Sequence, residues 1–163
     1  MLLAALIPEG LFGGQRNGER RQGDVVEMKI VSVGIVDGDS GNVVVLKEKE
    51  GKRMLVIAIG IAEATAIALS LEGIKPARPL THDLMTMLIQ RLQARLQRVV
   101  IHDLRDDTYI GQIDLETERG VMEIDSRPSD AIALAVRSRV PIYATESVLE
   151  AAAITEEEDK WVH

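Results

Sequence analysis

The chain has 163 residues, enough for one domain with a substantial apolar core and too few for two large domains. Cysteine is absent, which excludes disulfides, thiolate catalysis and cysteine-ligated zinc. A net charge of −7 and an aromatic content of 2% argue against a passive nucleic-acid binder that relies on a basic surface or on base stacking. They argue less against a nuclease, because metal-binding carboxylates add negative charge to its site.

The first segment, residues 1–23, is predicted to be a flexible leader, because it ends in a glycine- and charge-rich stretch without periodicity. Its apolar start is too short to span a bilayer, and no later apolar run reaches spanning length. The sequence therefore predicts a cytoplasmic protein with no membrane partner. One domain is expected over residues 24–154, followed by an acidic tail over residues 155–163.

Three strands are predicted near the start of the domain, at residues 25–33, 43–46 and 53–59, because these runs are apolar or alternating. Short polar turns separate them, which favours an antiparallel meander. The turn at residues 37–42 resembles a calcium loop, but the bidentate glutamate at the twelfth loop position is missing. We therefore reject a calcium site there.

A first helix is predicted over residues 61–71, opened by Gly60 and apolar on nearly all sides, so we expect it to be buried. Glu63 lies in its first turn, where it either stabilises the helix dipole or belongs to a site.

A second helix is predicted to begin at Thr81 and to run past Leu96. Leu84, Leu88, Leu92 and Leu96 would form its buried face, together with Met85 and Ile89. Arg91, Arg95 and Arg98 recur at helical spacing on another face. A solvated helix face is the favoured interpretation of these arginines, with a ridge that binds substrate phosphates as the alternative.

Further strands are predicted at residues 99–104, 108–115 and 120–124, then a helix over residues 131–137, a strand at residues 140–143 and a short final helix. Together, the predicted strands and helices indicate an α+β fold. We expect a largely antiparallel or mixed sheet of about six to seven strands, packed with two long helices and one or two short ones.

The densest group of functional side chains is Asp125-Ser126-Arg127-Pro128-Ser129-Asp130, at a strand-to-helix junction. Ser126 is expected to cap the helix, and Pro128 suits its first turn. Two carboxylates flanking an arginine exceed what capping requires. The structural interpretation is an aspartate–arginine pair that braces the turn, and the functional one is a site.

Known nucleophile elbows, phosphate-binding glycine loops and zinc spacings are absent from the sequence. Carboxylates suit Mg²⁺ or Mn²⁺, an imidazole transfers protons, and arginines bind phosphate. This inventory fits metal-assisted phosphodiester hydrolysis, and it fits an ion-paired subunit interface equally well. The side chains at element junctions that carry it are Glu63, Arg78, His82, Asp83, Asp125, Arg127 and Asp130.

Four stretches, at residues 59–67, 78–84, 125–135 and 141–143, resemble the bifunctional nuclease family, long known as a bacterial domain of unknown function. The resemblance covers roughly residues 25–154 in the family's order. It implies an α+β domain, DNase and RNase activity by analogy with plant members, and self-association.

Two hypotheses follow. In the first, the protein is a metal-dependent nuclease with catalytic, substrate-binding and metal-binding residues. In the second, it is a non-enzymatic homo-oligomeric module with the helix at residues 62–71 buried between subunits. The first hypothesis assigns catalysis to His82, Asp83, Asp125, Arg127 and Asp130, substrate binding to Arg78, Arg91, Arg95 and Arg98, and Mg²⁺ or Mn²⁺ to Glu63, Asp125 and Asp130.

Overall fold

The computed structural model describes residues 25–35 and 41–155, so the predicted leader, most of the turn at residues 37–42 and nearly all of the predicted acidic tail lie outside the described residues. No helix within the described ranges is long and apolar enough to cross a bilayer. The elements, in chain order, are β1 (Val25–Ile35), β2 (Asn42–Glu48), β3 (Arg53–Ile59), α1 (Ile61–Leu71), α2 (Thr81–Arg91), β4 (Arg95–Arg105), β5 (Thr108–Thr117), β6 (Gly120–Ser126), α3 (Pro128–Ser138), β7 (Ile142–Thr145), α4 (Glu146–Ala152) and β8 (Ile154–Thr155).

The described strands form one mixed sheet in the order β6-β5-β4-β7-β1-β2-β3-β8. Two antiparallel meanders, β1-β2-β3 and β4-β5-β6, are joined by β7, which is antiparallel to β1 and parallel to β4. The predicted α+β class is confirmed. The described sheet has eight strands rather than six to seven, because the two-residue β8 adds an edge beside β3.

Helix α3 is the centre of the helical layer, since both α1 and α2 pack against it and it lies on β4 and β5. Its residues Ala131, Ile132, Ala133, Leu134 and Ala135 are all buried. A fully buried side chain the size of leucine or isoleucine contributes roughly 1.5–3 kcal/mol. This burial fixes α3 on the sheet, and with it the helix start that follows β6.

The prediction for the second helix is wrong in its length. Helix α2 ends at Arg91, and Gln93 adopts a left-handed conformation with φ of 59° before β4 begins at Arg95. Arg95, Leu96 and Arg98 therefore lie on a strand, and the three arginines do not share a helix face.

The buried face predicted for α2 is wrong for three leucines and correct for Met85 and Ile89. Leu84, Leu88 and Leu92 are 50%, 52% and 78% exposed. The inward face carries the half-buried Met85 and Ile89, which pack against the core as predicted, together with the buried His82. The helix has two apolar faces at helical spacing, and the sequence does not show which of them is buried. The exposed face contains more leucines.

Helix α1 begins and ends as predicted, but it is not buried on all sides. Ala64, Ala66 and Ile67 are buried, whereas Ile61 and Leu71 are exposed. The described chain thus leaves apolar side chains of both α1 and α2 open to solvent.

Candidate active site

Side chains from the first turns of three helices are joined at one point. Glu63 lies in the first turn of α1, His82 in that of α2 and Asp130 in that of α3. Arg127, the residue immediately before α3, bonds to both carboxylates. Helix starts carry partial positive charge, so negative side chains are stabilised there.

The contacts form a continuous network. Nε2 of His82 lies 2.9 Å from Oδ1 of Asp130. Arg127 donates from Nε to Oδ2 of Asp130 at 2.8 Å and from Nη2 to Oδ1 at 3.0 Å. Its Nη2 also donates to Oε1 of Glu63 at 2.8 Å. Arg127 therefore binds Asp130 with two nitrogens, the geometry in which a guanidinium binds a carboxylate most strongly.

Exposure divides this network into a protected and an accessible part. The His82 side chain is 8% exposed, whereas the Arg127 side chain is 66% exposed. Burial pushes the pKa of Asp130 upward, but hydrogen bonds from Arg127 and His82 outweigh burial and hold that pKa below its usual range. Hydrogen bonds to Asp130 and Glu63 raise the pKa of Arg127. At neutral pH the site thus contains an ionised Asp130, which contacts the imidazole of His82 and the accessible guanidinium of Arg127.

Close packing of β5 against the junction sets the position of Arg127. A Cβ added at Gly111 would lie 3.1 Å from the Ser126 carbonyl oxygen and 3.2 Å from Cα of Pro128, closer than a side chain packs without displacement. Pro128 occupies the first helical position, as predicted. The predicted Ser126 cap is wrong: the N-cap residue is Arg127, and the buried Ser126 hydroxyl has no hydrogen-bond partner in the described chain.

A second glycine shapes the Glu63 side of the site. A Cβ at Gly60 would lie only 2.2 Å from Oε2 of Glu63, because this carboxylate folds back over the start of α1. Gly60 therefore leaves room for the carboxylate that accepts from Arg127.

Asp83 belongs to a neighbouring contact rather than to the His82 network. Its Oδ1 accepts from Nε of Arg137 at 2.6 Å, and its Oδ2 accepts from the Leu80 backbone N–H at 2.8 Å. Burial raises the pKa of Asp83, but the hydrogen bond from Arg137 and that from Leu80 overcome it and lower the pKa. The Arg137 side chain is only 9% exposed and also donates to the Ala133 carbonyl oxygen. This pair braces α2 against α3.

Asp125 is not joined to the network. It lies on the exposed edge strand β6, opposite Gln112, and its side chain forms no hydrogen bond or ion pair with the described residues. In the described part of the chain, no three acidic or histidine side chains are grouped as a metal site requires. The carboxylates that do meet, those of Glu63 and Asp130, are both bound by Arg127.

The four arginines assigned to substrate binding are dispersed. Arg78 is exposed in the loop before α2, and Arg91 is exposed at the end of α2. Nε of Arg95 donates to Glu116 at 2.9 Å. Nε of Arg98 donates to Asp114 at 2.6 Å, and its guanidinium lies 5.8 Å from the centre of the Tyr143 ring.

Sequence reasoning missed three residues of this region. They are Arg137, Gly111 and Gly60, the last as the residue that leaves room for the Glu63 carboxylate. A signal for Arg137 was present, because it follows Asp130 by seven residues, or two helical turns, and therefore faces the same neighbour. For Gly111 there was no local signal, since its role depends on pairing with Ser126 and on the close approach of Pro128, which follow it by 15 and 17 positions.

Comparison with known proteins identifies the family of this chain. The family model described as "Bifunctional nuclease domain" matches residues 44–157, which include the whole His82–Asp130–Arg127–Glu63 network. The chain therefore belongs to the bifunctional nuclease domain family.

Two kinds of relative stand out. The uncharacterized protein Rv1829 of Mycobacterium tuberculosis is 41% identical over 128 residues, which are 78% of this chain and 76% of that protein. Bifunctional nuclease 1 of Oryza sativa subsp. japonica and the bifunctional nuclease of Oryza minuta are each 27% identical over 117 residues, which are 69% of this chain and 35% of theirs.

Proposed function

We propose that this protein is a cytoplasmic nuclease that hydrolyses phosphodiester bonds of DNA and RNA at the junction of α1, α2 and α3. The observation that carries the proposal is the 2.9 Å contact between His82 and Asp130 directly beside the accessible Arg127. The family and the names of the rice relatives support a nucleic-acid substrate.

Hydrolysis requires a base for the attacking water and positive charge for the phosphate. His82 donates from Nε2 to the ionised Asp130 and takes the proton of the attacking water at Nδ1, and Asp130 stabilises the imidazolium that results. As the water oxygen bonds to phosphorus, the bond from phosphorus to the leaving sugar oxygen breaks, and the imidazolium returns its proton to that oxygen. Arg127 uses Nε and Nη2 for the two carboxylates, which leaves Nη1 to bind a phosphate oxygen.

The net charge of −7 does not describe this junction, where positive groups offset the carboxylates of Glu63 and Asp130. Three helix starts, each equivalent to roughly half a positive charge, surround the site together with Arg127. Anions bind at helix starts because backbone N–H groups there lack helical partners. Negative charge that develops on the phosphate during reaction is stabilised by the same groups.

Assistance by Mg²⁺ or Mn²⁺ remains a prediction. As arranged, the site does not offer a free set of ligands, because Glu63 and Asp130 both bind Arg127, and Asp125 is not joined to them. Proton transfer and phosphate binding are therefore assigned to the protein's own side chains. The assignment of Asp125 and Asp83 to catalysis also remains a prediction.

The test is cleavage of single- and double-stranded DNA and RNA oligonucleotides by purified wild-type protein and the His82→Gln variant, each in Mg²⁺, in Mn²⁺ and in EDTA. We expect His82→Gln to lower kcat by about 10²–10⁴-fold, the usual contribution of a proton-transfer group. Asp107→Asn is the matched control, because Asp107 is exposed in a hairpin turn with φ of 59°, which asparagine tolerates.

Three results of this experiment test the role of His82, the metal requirement and the role of Asp125. A folded His82→Gln protein that cleaves at the wild-type rate would contradict the assignment and point to a contaminating nuclease. Loss of cleavage in EDTA would establish the metal requirement. Loss of metal-dependent cleavage in Asp125→Ala would make Asp125 a ligand, and an unchanged rate would remove it from the site.

A second candidate function is a homo-oligomeric module, which the exposed apolar stripe of α2 favours. Leu84, Leu88 and Leu92 are spaced four residues apart and are symmetric about Leu88, as a two-fold antiparallel pair of α2 helices requires. On this proposal, Leu88→Glu halves the mass measured by light scattering. A wild-type protein that is already monomeric at micromolar concentration would rule it out.

A further inference from the structure

A long groove runs beside α2 and the end of α3. It consists of two clefts, of about 740 and 560 Å³, that adjoin at Thr86 and Arg137, which line both. The first cleft is bounded by the end of α1, the loop at residues 73–79 and the start of α2. The second continues along α2 to the start of β4.

The lining of this groove is basic in an acidic protein. Lys75 and Arg139 line the first cleft and Arg95 the second, with Arg137 between them. The acidic lining residue is Asp83, whose charge is matched by Arg137. Arg95 shares its charge with Glu116, whereas Lys75 and Arg139 form no ion pair with the described residues. Two cations are therefore available to a ligand.

Arg137 is fixed before any ligand arrives. Its Nε bonds to Asp83 and its Nη1 to the Ala133 carbonyl, while Nη2 is not bonded within the described ranges. A guanidinium held in place loses little conformational entropy when it binds an anion. This preorganised donor lies where the two clefts meet.

The point where the two clefts meet lies close to the candidate active site. Arg137 follows Asp130 by seven residues on α3, a separation of about 10 Å at 1.5 Å per residue. A strand in a DNA duplex carries one phosphate per about 3.4 Å of helix axis, so at that spacing this distance corresponds to roughly three nucleotides.

The walls between these cations are apolar and concave. Ile74, Pro76, Leu80 and Met87 line the first cleft. Unpaired bases can fill such a surface, while the backbone of a duplex would contact the cations and leave the walls empty. Recognition would not depend on sequence, because the contacts are to phosphates and, through aliphatic side chains rather than aromatic stacking, to base faces.

We propose that this groove binds the single-stranded segment of DNA or RNA that flanks the scissile phosphate, with Lys75, Arg137 and Arg139 contacting its phosphates. The placement of the scissile phosphate rests on the proposed function, whereas binding of the strand can be measured without cleavage.

The test is fluorescence anisotropy with a labelled 12-nucleotide single strand, its duplex form and an acidic peptide as competitor. The variant is Lys75→Glu/Arg139→Glu. The matched control is Lys52→Glu/Arg119→Glu, which makes the same charge change at exposed hairpin turns away from the groove. We expect Kd for the single strand to rise about tenfold or more in the groove variant, and its salt slope to fall by about two.

Equal Kd values for groove variant and control would overturn the inference. So would duplex binding as tight as that of the single strand, or equally effective competition by the acidic peptide.

A minimal phosphodiester, bis(p-nitrophenyl) phosphate, separates the groove from the chemistry. We expect the groove variant to keep the wild-type rate on this substrate and to lose about tenfold in kcat/KM on the 12-mer. Strand binding that depends on the groove in a protein without cleavage would refute the nuclease and support the groove. If the groove variant cleaves and binds the 12-mer as the wild type does, the result would support the nuclease and refute the groove.

Discussion

The two ends of α3 each carry an arginine that pairs with a carboxylate, and the two pairs differ in exposure. At the start, Arg127 is 66% exposed and bonds to Asp130 and Glu63. Near the end, Arg137 is 9% exposed and bonds to Asp83. An exposed pair contributes little to stability and remains open to a ligand, whereas a buried pair is strongly destabilising to break. The same residue types therefore serve the proposed reaction at one end and helix packing at the other, where Nη2 of Arg137 is left for the proposed strand contact.

The largest effect is expected at the exposed end. Arg127→Ala should lower kcat/KM for a phosphodiester by about 10²–10³-fold, the cost of removing one donor to a developing oxyanion. The free energy of unfolding should change by about 1 kcal/mol or less, because the pair is exposed. Steady-state kinetics and urea denaturation measure both, with Arg119→Ala as the exposed-arginine control. A large loss of stability with activity retained would make Arg127 a brace.

The buried end should show the opposite pattern. Arg137→Met keeps most of the side-chain volume but leaves Asp83 and the Ala133 carbonyl without their donor. We expect the free energy of unfolding to fall by about 2–3 kcal/mol. Below the unfolding temperature, the rate on bis(p-nitrophenyl) phosphate should stay within about twofold of wild type. Wild-type stability together with a lost rate would reverse the roles of the two ends.

Acid should weaken the ion pairs at both ends of α3. The pKa values of Asp130 and Asp83 are lowered in the folded protein. The stabilisation that these two ionised carboxylates give the folded protein is complete above the ordinary aspartate pKa of about 3.9. It is lost as pH falls through their lower pKa values in the folded state. The urea midpoint of the wild type should therefore fall below about pH 4. In Arg137→Met and in Asp130→Asn that fall should be shallower, and curves parallel to wild type would contradict the ionised pairs.

The smallest effect is expected at Gly60. Alanine fits its backbone, which has φ of −74°, so stability should change by about 0.5 kcal/mol or less. Its Cβ would displace the Glu63 carboxylate and loosen Arg127, which should lower kcat/KM by roughly three- to tenfold. The control is Gly34→Ala, whose Cβ would meet nothing closer than 4.0 Å. Equal activity of the two alanine variants would show that Glu63 does not position Arg127.

Elements with a clear local period could be predicted from the sequence. The strand at residues 53–59 and the helix at residues 61–71 have the predicted bounds, because turns or glycine mark their ends. The end of α2 could not be predicted, since neither glycine nor proline separates it from β4 and Leu96 continues the leucine spacing. The break is made by Gln93 in a left-handed conformation, which asparagine or glycine adopts more readily.

The site was predictable as residue types rather than as an arrangement. His82 and Asp130 are 48 positions apart, and their contact depends on how α2 crosses α3. The sequence places Asp83 next to His82, but adjacent helical residues point about 100° apart, and Asp83 therefore reaches Arg137 instead. Asp125 was grouped with Asp130 through the shared motif, yet it lies on the strand rather than the helix.

The most direct test of the central claim is the rate of Asp130→Asn on bis(p-nitrophenyl) phosphate at neutral pH. Asparagine keeps the size of the side chain and removes the charge that supports His82, and Asp107→Asn provides the same change at an exposed turn. We predict a kcat about 10²–10⁴-fold below wild type for Asp130→Asn, with an unchanged circular dichroism spectrum, and a wild-type rate for Asp107→Asn. A folded Asp130→Asn protein with the wild-type rate would contradict the account.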